Sequence, residues 1–359
     1  MSVRAIARQL GLSATAVSLA LRGSPRVSAA VRARVEKAAR AAGHVPNARL
    51  TELMREVRQS AAPQYRGTLG ALWLFPEEEP WRERPIYEHL GLLLEGARAR
   101  AEAHGYRLEN FWLKAPGMTP RRLAEILAAR GIRGVFCLGS LDPEERFPAA
   151  LRRFAVVTQG VSIPEEMHRV VSHFTADART LWGELQRRGY RRPGLGILVS
   201  GDRRTDHLYS ATFLSEQERA GTAAPVPILR AETWDEGEFA RWFDAHRPDA
   251  IVLHQYADYV RAAEAFLARR KLRVPRDVGL ALLDKIPDRA RYAGICQDPV
   301  RIGAMAAELL LGRLLLHDLA TPEYPKVELV VGAWNEGTTL SRAHAVDGVV
   351  AKERTVWRR

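Results

Sequence analysis

Eleven arginines and lysines stand among the first 60 residues: Arg4, Arg8, Arg22, Arg26, Arg32, Arg34, Lys37, Arg40, Arg49, Arg55 and Arg58. Only Glu36, Glu52 and Glu56 oppose them, so this stretch carries +8 of the chain's formal +12. Clustered cations of this kind pair with phosphate oxygens and release counterions from a nucleic-acid backbone. A basic run alone is equally a solvated face, and what decides between them is the spacing of the residues around it. The hydroxyl of Ser13 either caps a helix by accepting from its free amides or reaches a phosphate.

Val3 to Leu21 reads VRAIARQLGLSATAVSLAL. Val3, Ile6, Ala7 and Leu10 share one helical face, Gly11 breaks the pattern, and Val17, Ala20 and Leu21 form a second face. Two short amphipathic helices joined at a glycine turn, with Ser13 as the next N-cap, give a helix-turn-helix.

In this spacing the chain keeps Ala7, Gly11-Leu12-Ser13, Ala16-Val17-Ser18 and Leu21-Arg22-Gly23. A third helix is expected near Ala29 to Ala42 after Arg26-Val27-Ser28, followed by Gly43-His44-Val45-Pro46-Asn47. The pattern resembles the headpiece of the LacI/GalR family of transcriptional repressors. The resemblance implies an operator of double-stranded, near-palindromic DNA read by a homodimer. The second helix would present Ala14, Thr15, Ser18 and Leu19 to base edges, with Ser13, Arg22, Arg26 and Ser28 on the backbone. Leu19 stands where the family often has arginine or histidine, so readout there is apolar, as against a thymine methyl, and DNA shape carries more of the specificity. Asn47 opens a hinge helix running to Met54, in which Leu53 either wedges into the minor groove or packs the hinge against the core.

A chain of 359 residues, 47% of them apolar, is long enough for two or three domains. No apolar run approaches the roughly 18 residues of a membrane span and no signal-peptide core opens the sequence, so a cytoplasmic protein without membrane contact is expected. Cys137 and Cys296 are too few for a disulfide framework. Strand patterns over 68–75, 107–112, 134–138, 155–159, 194–199, 227–229, 250–253 and 279–283 alternate with helical ones over 87–104, 121–130, 178–188, 209–220, 236–246, 259–270 and 300–317. Such alternation specifies parallel α/β sheets, and its length specifies two. The family's core is similar to a periplasmic sugar-binding protein: two doubly wound lobes beyond an all-α headpiece.

The expected domains are a headpiece over 1–46, a hinge and linker over 47–60, a core over 61–340 and a basic tail over 341–359. Within the core, lobe 1 takes about 66–160 and 296–320, and lobe 2 about 161–295 and 321–340, with 326–331 returning to lobe 2. The tail is either frayed or docked through Val349, Val350, Val356 and Trp357, and it lacks the leucine heptads of a tetramerising coil.

Family register places a small-molecule effector, a carbohydrate or related metabolite, near His89, Gln159, Tyr209, Trp234, His254 and Asp284. Asp284 either accepts from ligand hydroxyls or terminates its strand in a turn, and Trp234 either stacks on a sugar face or packs internally. Tyr209 replaces a ligand-clamping arginine, so the usual guanidinium fork is expected to be missing, and the pocket takes a sugar, another metabolite or none. Catalysis has little support. There is no serine-nucleophile elbow, Gly194-Leu195-Gly196 lacks the third glycine of a dinucleotide fingerprint, and His168 and His173 lack metal partners at useful spacing. Glu77-Glu78-Glu79 and the pair Asp202 and Asp206 read as solvated loops. No cofactor or metal is expected. The rivals to a DNA-binding regulator are a solute-binding protein serving transport and an α/β enzyme.

Overall fold

The computed structural model describes residues 3–13, 16–17, 20, 27–41, 65–82, 87–140, 142, 144–221, 224–254, 257–284, 290–319 and 322–341. They divide into an N-terminal unit ending at Arg66 and a core beginning at Gly67.

In the N-terminal unit, α1 spans Val3–Leu10 and α2 spans Ala29–Ala41. Gly11 ends α1 with φ +65°, a conformation a Cβ would penalise. The Leu12 N–H then returns to the Ala7 carbonyl at 2.9 Å. Ser13 caps the next helical segment, its Oγ accepting from Ala16 N at 3.0 Å. Ser28 does the same for α2 through Val31 N at 3.4 Å. Ile6, Val17 and Val35 are fully buried and Ala7, Ala20, Val27 and Ala39 close round them. The i, i+3, i+4 spacing of small apolar residues thus becomes one miniature core.

The described residues of the core form two six-stranded sheets. The first has the order β11-β5-β4-β3-β1-β2, from β1 (Gly67–Trp73), β2 (Tyr106–Trp112), β3 (Gly134–Cys137), β4 (Ala155–Gln159), β5 (His168–Ser172) and β11 (Val327–Val330). All its pairs are parallel. Leu69, Ala71, Trp73 and Phe75 face α3 (Glu88–Ala103) and α10 (Pro299–Leu315), whereas Leu72 and Leu74 face α4 (Pro120–Ala129). This strict alternation covers both faces, as a parallel sheet requires.

The second sheet has the order β12-β10-β9-β8-β6-β7, from β6 (Pro193–Leu198), β7 (Leu229–Ala231), β8 (Ala250–His254), β9 (Gly279–Leu283), β10 (Ala293–Cys296) and β12 (Ala333–Asn335). Among the described residues only β12 runs antiparallel within it. Helices α5 (Phe174–Arg187) and α7 (Leu208–Arg219) pack on one face, α8 (Glu236–His246) and α9 (Ala257–Arg269) on the other. A short α6 (Val199–Arg204) follows β6 directly.

Two doubly wound lobes are therefore present, as the alternation requires, but their limits differ from the expected ones. Val327–Val330 pairs with Arg169–Ser172 in the first sheet, not the second. The chain changes lobe two residues later, at Gly332, before Ala333 pairs with Cys296. His168–Ser172, expected in lobe 2 with no strand, is a buried central strand of lobe 1. Its polar start hides it. Arg169 is satisfied by carbonyls, including Ile163 O at 3.2 Å, and His168 Nδ1 accepts from Lys326 N at 2.7 Å.

Asp202 also departs from expectation. It lies in α6, 1% exposed, accepting from Ser210 Oγ at 3.0 Å and Arg230 Nε at 3.3 Å. It is a structural anchor, not a solvated loop carboxylate. Hinge residues Asn47 and Leu53, the tail from 342 onward, and Ala14, Thr15, Ser18, Leu19, Arg22 and Arg26 lie outside the described residues.

Candidate functional site

Among the described residues three chain crossings join the lobes: His173 between β5 and α5, Gln297-Asp298 between β10 and α10, and Val331-Gly332 between β11 and β12. Beside them a cleft of about 310 Å³ opens at the carboxyl ends of the strands, where side chains from successive strand ends converge in doubly wound sheets. Lobe 1 contributes Glu88 and His89 from the first turn of α3 and Gln159 and Ser162 after β4; lobe 2 contributes Arg204, Thr205, His254 and Asp284. Gln297 lines it from a crossing, and Phe174 from the first residue of α5, next to another.

Four of the six expected effector residues, His89, Gln159, His254 and Asp284, line this cleft. Gln159 is held by its own amide, Nε2 donating to Leu138 O at 2.8 Å, which leaves Oε1 as the acceptor. Asp284 terminates β9 in the left-handed region at φ +64°, which aspartate tolerates better than most residues. His254 is 2% exposed, and its pKa is pushed down to about 4, first by burial and then by the positive charge of Arg204. Its imidazole is therefore neutral near pH 7, with one donor and one acceptor nitrogen.

The other two stand behind or away from the wall. Tyr209 is fully buried. Its hydroxyl accepts from Gln297 Nε2 at 3.0 Å, and its ring meets Phe174 edge-on at 5.1 Å and tilts against His254 at 5.2 Å. Burial, with Asp284 and Asp177 nearby, raises its pKa well above 10, so the phenol stays protonated. Tyr209 thus supports three cleft residues without lining the cleft. Trp234 packs on Phe239 and Tyr259, with ring centroids 4.8 and 4.6 Å away. It has taken the internal partner that its sequence context left open.

Arg204 also lines the cleft, with no local signal in the sequence to mark it. It ends α6, a helix of only six residues in what reads as a loop after β6. It brings a guanidinium into the cleft five positions before Tyr209, where the fork was expected to be missing. Arg204 Nε is buried and without a hydrogen-bond partner among the described residues. Nothing in the residues around Gln297 marks it as joining a lobe crossing to the cleft.

Residues 2–47 match the model of bacterial regulatory proteins of the lacI family, and residues 182–337 match a periplasmic binding protein-like domain. No curated protein matches the sequence. Among solved structures, the chain is similar to the transcriptional regulator CelR in complex with cellobiose, at 20% identity and a TM-score of 0.58 over 94% of this chain and 99% of that one. It is similar to the lac repressor dimer bound to operator and the anti-inducer ONPF, at 16% identity and TM-score 0.57, covering 95% and 99%. A lacI-family regulator from Silicibacter pomeroyi matches at 18% identity and TM-score 0.53, covering 95% and 100%.

Proposed function

We propose that this chain, which belongs to the lacI family of bacterial regulatory proteins and is a DNA-binding transcriptional regulator, is a homodimeric repressor whose operator affinity is set by a small molecule held between its lobes. One observation carries the effector reading: Phe174 and Gln297 line the cleft and adjoin two lobe crossings. A ligand filling the cleft therefore touches the segments that must rotate if the lobes change angle. Only a ligand that binds one lobe arrangement better than the other shifts that equilibrium. The cellobiose carried by CelR and the operator carried by the lac repressor dimer support the same division of labour. They also support a carbohydrate-related effector and a two-fold DNA site.

On the DNA side, the proposed contacts are Ala14, Thr15, Ser18 and Leu19 on base edges and Ser13, Arg22, Arg26, Ser28 and Asn47 along the backbone. Leu53 is the proposed minor-groove wedge. Gel-shift titration with a palindromic DNA pool at several salt concentrations tests the reading. A selected site should outcompete random duplex, and affinity should fall steeply with salt. Leu53→Ala should weaken the selected site and reduce its bending with the fold intact. Binding with no sequence preference by a folded, two-fold associated protein refutes the regulator reading, and unchanged bending in Leu53→Ala refutes the wedge.

A further inference from the structure

Arg204 ends α6 and projects into the cleft with its Nε buried, and no carboxylate of the described residues pairs with it. The carboxylate on its own helix, Asp202, is engaged through Oδ2 by His207, Ser210 and Arg230, and its Oδ1, buried and without a hydrogen-bond partner among the described residues, is not bonded to Arg204 either. A guanidinium partly removed from water without a counter-charge is costly, and its planar donors fit a carboxylate or phosphate edge. His254 beside it is uncharged and does not compete for the anion. Elsewhere in the cleft the polar groups are acceptors or mixed. Asp284, Glu88 and the Oε1 of Gln159 accept, and the Ser162, Ser172 and Thr205 hydroxyls do both, so Arg204 is the cationic group set against two carboxylates. That set suits ligand hydroxyls. A volume of about 310 Å³ suits one sugar-sized molecule.

We infer that the effector is a small polyhydroxylated oxyanion, a sugar acid or sugar phosphate, whose anionic group is held by Arg204 and whose hydroxyls donate to Asp284 and Gln159. The inference rests on the effector reading above and gives it a chemical class. The anion-binding cation then sits five residues before Tyr209, the position at which the resemblance implies an arginine.

Calorimetric titration of the full chain tests this with glucuronate, galacturonate and gluconate in one arm, glucose 6-phosphate in a second, and glucose and cellobiose in a third. At least one anionic arm should bind more tightly than its neutral counterpart. Arg204→Gln should weaken that ligand by about 10- to 100-fold, the range for a hydrogen bond to a charged group. Arg204→Lys, which keeps the charge and loses the fork, should fall between them. An unchanged melting curve of the free variants excludes misfolding as the cause. A neutral sugar that binds as tightly as any anion, or an Arg204→Gln protein that keeps full anion affinity, overturns the oxyanion assignment and leaves the effector reading standing. A panel in which no compound binds the chain or alters operator affinity overturns both.

Discussion

The Asp177 carboxylate accepts a 2.8 Å hydrogen bond from the backbone N–H of Gly332. Asp177 lies in the first turn of α5, just past the first lobe crossing, and Gly332 lies in the third. One buried side chain therefore ties two of the three crossings together. Its neighbour Gln297, which carries the remaining crossing, bonds Tyr209 behind the cleft wall.

The burial of Asp177 sets a pH dependence. Desolvation raises its pKa from 3.8 to about 6, with the Gly332 N–H and the Gln297 side chain opposing. A carboxyl with a raised folded-state pKa contributes stability that is full below 3.8 and lost as pH rises through about 6, a difference of about 3 kcal/mol. Asp177→Asn keeps an acceptor for Gly332 and cannot ionise. Thermal melts of the core should show the variant more stable than the parent at pH 7.5 and level with it at pH 4. A variant that melts lower at both values would mean that the charged form is the one the hinge needs.

His254 works in the opposite sense over an overlapping window. Its pKa falls from 6.5 to about 4 on folding, so its contribution is present above 6.5 and is lost as pH drops through about 4. In the parent chain this loss on acidification is offset by the gain at Asp177. In Asp177→Asn that offset is gone, and the melting temperature should drop between pH 7 and 4.5, with His168, whose pKa burial also lowers, adding to the fall. Adding His254→Gln should flatten that drop, and an equal slope in the single and double variants would assign it to another group.

Two helices of lobe 1 meet through glycine. A Cβ on Gly96 of α3 would lie 1.9 Å from Val300 O, and one on Gly303 of α10 would lie 1.9 Å from Leu93 O. Both obstacles are backbone, so neither can swing aside, and overpacking of this kind costs about 1–3 kcal/mol or more. Gly312, on the same helix, has nothing within 4 Å of its added Cβ. Gly303→Ala should lower the midpoint of chemical unfolding, whereas Gly312→Ala should raise it by the helix propensity difference of about 0.5–1 kcal/mol. Equal shifts in the two variants would place the helices farther apart than this packing has them.

What the sequence reveals depends on how local the physics is. Gly11 and Ser13 act within four residues of themselves, one by its φ and the other by a cap, so the headpiece is readable from spacing. The apolar runs 250–253 of β8 and 280–283 of β9 are readable for the same reason. Lobe membership is different. Val327–Val330 belongs to the first sheet because of an edge offered by Arg169–Ser172 over 150 positions earlier, and no pattern within Val327–Val330 encodes that. Trp234 resolves only when Phe239 and Tyr259 are placed around it. Arg204 is hidden by a helix too short to show a period.

Ser13 offers a last test, in which capping and DNA contact separate. Its Oγ accepts from Ala16 N at 3.0 Å, so the hydroxyl hydrogen stays available to donate to a phosphate. Ser13→Ala removes both interactions and should cost the N-terminal unit about 0.5–2 kcal/mol, together with operator affinity. Ser13→Asp keeps the cap, since aspartate is as good an N-cap as serine, but sets a negative charge against the backbone. Its N-terminal unit should melt like the parent's, whereas operator affinity falls by at least about tenfold at low salt, with a narrower deficit as salt rises. If Ser13→Asp binds the operator as well as the parent does, the hydroxyl serves the helix alone and the phosphate contact must come from the neighbouring arginines.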